Sequence, residues 1–293
     1  MITSTANTRV KEIRSLHRRK ERDSRGLAYV EGIRAVLGAL ESEWGDVALL
    51  IVAPGLLTSE NALAAIAEAE KRGIERLDLT ADVFKSLSNR DGPQGLAAVV
   101  RQRWLSLRSL ELEDGDTWIA LTAVADPGNL GTILRTADAI GARGIILVED
   151  SADPWAPTAM RASTGAIFTR HLVRAEWSAF VAWTRQQNIT LVGATDDAET
   201  PYRGADYGSR TVLLMGSERE GLSKIQRQVC HQLVAIPMRG QVDSLNLGVA
   251  ASLVLYEILD QREAASASGA PDVSDASDVS PVTDVPEVAE VSE

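Results

Sequence analysis

Short apolar runs alternate with amphipathic stretches along most of the chain. In the first hundred residues, LAYVEG (Leu27–Gly32) is an apolar run closed by glycine, and Ile33, Val36, Leu37 and Leu40 then recur at helical spacing. VALLIVA (Val47–Ala53) and LAAVV (Leu96–Val100) read as strands. Between them NALAAIAEAEKRG (Asn61–Gly73) reads as a helix with an asparagine cap, an apolar stripe and a glycine stop. The second half repeats the alternation with WIALTAV (Trp118–Val124), GIILV (Gly144–Val148), TLVGA (Thr190–Ala194), TVLLM (Thr211–Met215) and LVAIP (Leu233–Pro237). Continuous apolar runs of this kind belong to strands covered on both faces, as in parallel sheets flanked by helices. The pattern predicts an α/β protein with a parallel-sheet C-terminal domain and a smaller N-terminal α/β domain, without internal repeats.

The polar, basic stretch RQRWLSLRSLELEDGD (Arg101–Asp116) interrupts the alternation and reads as a linker, with the domain boundary near Leu110. The predicted division is 1–105, linker 106–116, 117–262 and a tail, 263–293. The tail is small, acidic and proline-punctuated and cannot bury enough apolar area to offset its ordering entropy, so it reads as a disordered, solubilising extension. It also accounts for most of the formal charge of −11, because its eight acids face no Lys or Arg and the rest of the chain carries only −3. The first 25 residues hold eight bases against three acids. Arg14, Arg18, Arg19, Lys20 and Arg22 in that head are therefore candidate contacts for RNA phosphates, which give sequence-independent affinity. The single cysteine, Cys230, suits a reducing cytoplasm, and neither a secretory leader nor a membrane-length apolar run is visible.

Three segments of the second half carry candidate chemistry. ADPGNLGTILRTADAIGA (Ala125–Ala142) follows a strand with a turn holding Pro127, Gly128 and Gly131, then a helix with Arg135 one turn in. A cation near a helix N-terminus opposes the dipole, and binding a phosphate or sugar is a reason to keep it there. LLMGSEREGLS (Leu213–Ser223) ends another strand in a small-residue turn, with Gly216 exposing backbone and Glu218 following it. VAIPMRGQVDSLNLGVAASLVLYEI (Val234–Ile258) runs from a strand through Met238 and Arg239 to Ser244, read as the cap of a helix from about Leu245 to Asp260 that is apolar nearly all round. Asn246 stands beside that cap as a hydrogen-bonding group. Taken singly, the first segment is equally an ordinary strand–turn–helix, and the other two read better as a plain loop and a capped core helix; their joint order is the signal.

In that order the segments resemble the three signature motifs of the SpoU/TrmH group of SPOUT RNA methyltransferases: NLGTILRTADAIG, GSEREGLS and IPMRGQVDSLNLGVAASLVLYE. MRASTGAIF (Met160–Phe168) resembles the insert between the first two motifs. The resemblance covers about Trp118–Leu259. VKEIRSLHRRKERDSRGLAYVEGIRAV and LSNRDGPQGLAAVV look, more loosely, like the substrate-binding domain fused to many of these enzymes, a small RNA-binding module of ribosomal-protein type. The resemblance implies a trefoil-knotted catalytic domain, a homodimer, and transfer of a methyl group from S-adenosylmethionine to a ribose 2′-hydroxyl of RNA, with ribosomal RNA favoured over transfer RNA. It implies cofactor contacts at Gly216, Ile236, Met238, Leu245 and Asn246. It assigns Arg135 to activating the hydroxyl and makes Asn129, Glu218, Ser244 and Asn246 the supporting catalytic positions. Position 217 is Ser where many relatives have Asn, and position 248 is Gly where many have Ser, a change that weakens a helix start by up to about 1 kcal/mol.

A poor nucleophile such as a ribose hydroxyl needs an acceptor or a cation to ease its deprotonation. Arginine stays protonated in most settings, so base and electrostatic stabiliser are both open roles for Arg135. No metal is required, and His17, His171 and His231 are scattered and take no role. The alternative is an RNA-binding protein that keeps this fold without catalysis; it would be free to lose Arg135, Glu218 or Asn246, all of which are present. A dinucleotide oxidoreductase is disfavoured because DPGNLG is not the GxGxxG turn it requires.

Overall fold

A computed structural model describes residues 1–268; the predicted tail from residue 269 onward lies outside the described residues. The N-terminal domain contains α1 (Thr8–Ser15), α2 (Arg19–Arg25), β1 (Leu27–Glu31), α3 (Ile33–Glu41), β2 (Asp46–Val52), α4 (Glu60–Lys71), β3 (Glu75–Asp78), α5 (Ala81–Lys85) and β4 (Leu96–Arg101). Its sheet has the order β1-β4-β2-β3, with β4 antiparallel to both neighbours and β2 parallel to β3. The cap of α4 is Ser59, whose side chain accepts from Ala62 N–H, so Asn61 lies inside the first turn rather than before it.

The second domain follows with β5 (Thr117–Thr122), α6 (Pro127–Ala139), β6 (Gly144–Val148), α7 (Pro157–Ser163), β7 (His171–Ala175), α8 (Trp177–Gln186), β8 (Thr190–Ala194), β9 (Thr200–Pro201), β10 (Thr211–Met215), α9 (Lys224–Val229), β11 (Gln232–Ala235) and α10 (Leu247–Ser268). Its seven strands are all parallel, in the order β7-β6-β5-β10-β8-β11-β9. The chain moves outward from β5 to β7, then builds the other side and inserts β10 against β5. The C-terminal ends of β5 and β10 therefore lie side by side at the centre of one sheet edge, the edge at which open α/β sheets bind ligands.

Four stretches differ from the sequence expectation, and the two helix starts among them move functional residues. Helix α6 begins at Pro127 with Asp126 as cap, so Gly128 and Gly131 are helical and Arg135 lies in the third turn, exposed, rather than one turn in. Gly131 serves helix packing, since a Cβ there would lie 2.5 Å from Ala159 O on α7. Helix α10 begins at Leu247 rather than after a Ser244 cap, and Asn246 Oδ1 accepts from Gly248 N–H (2.9 Å) and Val249 N–H (3.3 Å). It continues to Ser268, so the segment from Glu263 to Ser268 is helical where the tail was expected to begin. The stretch expected to be a linker is packed: Leu107, Leu110 and Leu112 are buried with Trp118, Phe180 and Trp183 beneath the second sheet.

The two domains share one core. Val30, Val36 and Leu40 of the first cluster with Met160, Ile167 and Phe168 of the second, and Ser42 Oγ donates to Phe168 O. Arg22 is 3% exposed and Asp153 4% exposed; Arg22 Nη2 and Nε donate to Asp153 Oδ2 at 2.6 and 2.8 Å, while Nη1 donates to Leu16 O and His17 O. Arg22 is thus an interior clamp between domains. The expectation that it meets RNA phosphates is corrected, because no phosphate reaches a guanidinium held on all sides. The rest of the basic head is largely compensated: Arg18 pairs with Glu21, Arg19 with Asp23 and Asp150, and Arg14 donates to Ser86 Oγ, while Lys20 is exposed.

Candidate active site

Where β5 ends, the chain turns sharply at Ala123, whose φ of 52° is in the left-handed region, and passes through Ala125 and Asp126 into α6. Where β10 ends, Gly216 leads into a tight turn that closes on itself, with Ser217 N–H donating to Gly221 O and Gly221 N–H donating to Ser217 O. A Cβ on Gly216 would lie 2.1 Å from the Gly221 carbonyl, so this position excludes any side chain. Ser217 Oγ accepts from Glu220 N–H, an intraturn bond that tightens the same bend.

The two turns are tied together by Glu218. Its carboxylate accepts from Ala125 N–H (3.0 Å), Asp126 N–H (3.0 Å) and Asn129 Nδ2 (3.1 Å). Asn129, 8% exposed, in turn accepts at Oδ1 from Asn246 Nδ2 at 2.8 Å. A polar chain therefore runs from the β10 turn through the first turn of α6 to the N-terminus of α10. Partial burial pushes the Glu218 carboxyl up, but the N–H donors from Ala125, Asn129 and Asp126 outweigh it and hold the group below the usual carboxylate range. Glu218 is ionised at neutral pH and orients its neighbours rather than exchanging protons. Gly248 lets α10 approach α6, since a Cβ there would be 3.0 Å from Thr132 Cγ2; the cost of glycine at this helix start is offset by packing and by the Asn246 cap.

Two cavities flank this chain. One, about 880 Å³, is an open groove lined by Asn129, Glu218, Ser244, Leu245 and Asn246. The other, about 390 Å³, lies at the ends of β8, β10 and β11 and is lined by Gly216, Glu218, Ile236, Met238, Ser244 and Leu245. All the residues expected at the cofactor and supporting positions thus line one cavity or the other. Arg135 lines neither; it stands on the exposed face of α6, about 9 Å along the axis from Asn129 at 1.5 Å per residue. The sequence reading missed Asp196 and Asp243, which add carboxylates to the smaller cavity. Asp196 was accessible in principle, because it follows β8 at the same sheet edge as the other two turns. Arg219 is the single cation lining either cavity, against Asp126, Asp196, Glu218, Glu220 and Asp243.

An apolar wall of Met215, Val234, Ile236 and Leu245 facing four carboxylates suits a ligand with a flat apolar part and a positive centre. The residues present fit S-adenosylmethionine in that sense: an adenine for the wall, and an ammonium and a sulfonium for the acids. Among the described residues no group of three or more His, Cys, Asp or Glu is arranged to hold a metal ion, and no helix is long and apolar enough to cross a membrane.

Comparison with known proteins places this geometry. The model of the SpoU rRNA Methylase family matches residues 116–256, and that of the MRM3-like substrate binding domain matches residues 7–98. A 23S rRNA (uridine(2479)-2′-O)-methyltransferase from Streptomyces viridochromogenes is 30% identical over 265 residues, spanning 87% of this chain and 90% of that protein. The crystal structure of an AdoMet-bound rRNA methyltransferase from Sinorhizobium meliloti superposes with a TM-score of 0.82 at 35% identity, covering 89% of this chain and 97% of the other. A SpoU methyltransferase from Streptomyces viridochromogenes in complex with AdoMet gives a TM-score of 0.78 at 30% identity, covering 88% and 98%. The two domains thus have counterparts in sequence and in fold, and the chain belongs to the SpoU rRNA methylase family.

Proposed function

We propose that this chain is an S-adenosylmethionine-dependent ribose 2′-O-methyltransferase acting on 23S ribosomal RNA. The observation that carries the reading is the Glu218–Asn129–Asn246 chain, which joins three separate strand ends around two adjoining cavities. The smaller, acid-lined cavity takes the methyl donor, with Gly216, Ile236, Met238 and Leu245 around it. S-adenosylmethionine supplies an electrophilic methyl group on a sulfonium. The larger groove beside it takes the target nucleotide. Glu218 fixes the Ala125–Asp126 turn that forms the groove's floor, and Asn129 and Asn246 hold each other where a ribose edge would pass. Arg135, exposed two turns along α6 and outside both cavities, meets a phosphate of the RNA as it crosses that helix and so positions the ribose, whose 2′-hydroxyl proton is released to solvent as the methyl is taken up. Retention of the whole polar chain favours an enzyme over a non-catalytic RNA-binding relative.

The same reading carries a trefoil knot in the catalytic domain, supported by the late insertion of β10 between β5 and β8. It also carries a homodimer. Val249, Leu253 and Tyr256 are 47%, 38% and 47% exposed and recur at helical spacing on α10, opposite the buried stripe of Ala251, Val254, Leu255 and Ile258. A cytoplasmic location accords with ribosomal RNA as substrate and with the free Cys230. The test is Arg135→Ala assayed on unmodified 23S rRNA: S-adenosylmethionine binding is retained and methyl transfer is lost. Wild-type turnover in that variant overturns the role of Arg135.

A further inference from the structure

We propose that the groove between the two domains is a second RNA site, which holds an unpaired stretch of the strand next to the methylated nucleotide, with Arg34, Arg90 and Arg161 on its phosphates. The proposal rests on the RNA methyltransferase reading above. The groove has a volume of about 850 Å³, enough for one or two nucleotides, and both domains build it. Arg34 on α3 and Arg90 in the loop before β4 form one wall; Arg161 on α7 and Thr164 form the other. Two sequence stretches that the catalytic site leaves unused, around Asn89–Gly95 and Met160–Phe168, meet here.

The charge arrangement favours an anion. Arg34, Arg90 and Arg161 are exposed, and none forms an ion pair with a carboxylate among the described residues. The acids of the same lining are mostly engaged. Glu31 accepts from Ser88 Oγ and Asn89 N–H, and Asp138 pairs with Arg170 at 3.1 Å, which leaves Glu41. The basic head is mixed: Arg22 is buried, Arg9, Arg18, Arg19 and Arg25 are paired to acids, and Lys11, Arg14 and Lys20 form no ion pair among the described residues. Three arginines without a carboxylate partner thus converge on one groove built by both domains. Thr164 closes α7 in the left-handed region, φ of 51°, with its N–H donating to Arg161 O, and Gly165 at 103° turns the chain along the groove wall.

The position is right for a continuous strand. Asn129 at one end of α6 faces the catalytic groove, Asp138 near the other lines this one, and Arg135 lies exposed between them. Asn129 and Asp138 are nine positions apart, about 13.5 Å along the axis and half a turn round it, so the strand joins the two grooves by crossing α6 over its exposed Arg135 face. A mixed lining of arginine, Gln94, Thr164 and Glu41 also suits splayed bases, which stack on guanidinium planes and bond through their edges, better than the uniform backbone of a duplex.

The test is binding of unmodified, transcribed 23S rRNA across a salt series. The Arg34→Ala/Arg90→Ala/Arg161→Ala variant is expected to bind about tenfold more weakly. Its slope of log affinity against log salt should fall by about 0.7 per lost contact, about 2 in all. S-adenosylmethionine binding and the melting temperature stay at wild-type values. Should the triple variant fail to fold, Arg34→Ala alone, on the surface of α3, is expected to lower the slope by about 0.7. A wild-type slope and affinity in the folded variant overturns the proposal. Absence of methyl transfer by the wild-type protein on the same RNA would instead contradict the methyltransferase reading, and the salt series separates the two failures.

Discussion

Arg22→Met removes one partner of the buried pair between the domains and leaves the other in place. The lost guanidinium made two bonds to Asp153 Oδ2, at 2.6 and 2.8 Å, and one each to Leu16 O and His17 O. The Asp153 carboxylate, 4% exposed, keeps Trp155 N–H as a donor to its other oxygen and loses its only cation. Breaking a buried pair from one side costs about 3–5 kcal/mol, mostly because the remaining charge is stranded. Denaturant unfolding should register that loss. Arg22→Met/Asp153→Leu should recover most of it, since an apolar replacement of both partners is often neutral. The RNA salt slope should stay at the wild-type value in both, because the side chain never reaches solvent. A loss under about 1 kcal/mol, or a slope lower by one contact, would refute the assignment of Arg22 as an interior clamp.

Glu218→Gln replaces one acceptor oxygen with a donor facing the Ala125–Asp126 turn or Asn129, and methyl transfer should fall at least about tenfold, the scale of about 1.4 kcal/mol. Because the Glu218 carboxyl is held below its usual value in the folded protein, its contribution is fully present above the ordinary carboxylate range and disappears as pH falls through the depressed value. An acid limb of the stability profile shallower in Glu218→Gln than in the wild type is the expected signature, since Glu75, Asp114 and Asp197 are also held below the usual range and keep part of it. Asn246→Ala should cost about 1 kcal/mol as a lost cap, whereas Asn246→Asp should keep the cap and lose only the donor to Asn129, lowering transfer more than stability. Gly216→Ala forces a Cβ to within 2.1 Å of the Gly221 carbonyl, and calorimetry should find S-adenosylmethionine binding abolished.

The five long apolar runs of the second half and the order of the three strand-end motifs were legible because burial on both faces writes itself as continuous hydrophobicity. Strand β3 was not, since ERLD carries three charges at the sheet edge, and β7 (HLVRA) is a short edge strand in which His171 and Arg174 leave only Leu172 and Val173 as an apolar run. The DSLN stretch holds three good caps, Asp243, Ser244 and Asn246, and propensity alone could not choose Asn246 over Ser244. At α6 the signal was present: aspartate followed by proline is a standard helix start, and it moves Arg135 to the third turn. Arg22 was illegible for a different reason. Its partner lies 131 residues away, and no local rule distinguishes an interior arginine from its neighbours in a basic segment.

The most direct measurement of the central claim is the site of the transferred methyl. Unmodified 23S rRNA is incubated with the purified protein and labelled S-adenosylmethionine, digested to nucleosides and analysed by mass spectrometry. The label is expected on the ribose of a single nucleotide, at the 2′-oxygen, with the adjacent linkage resistant to alkali. Label on a base, or no stable transfer to RNA by a protein that binds S-adenosylmethionine, would contradict the account.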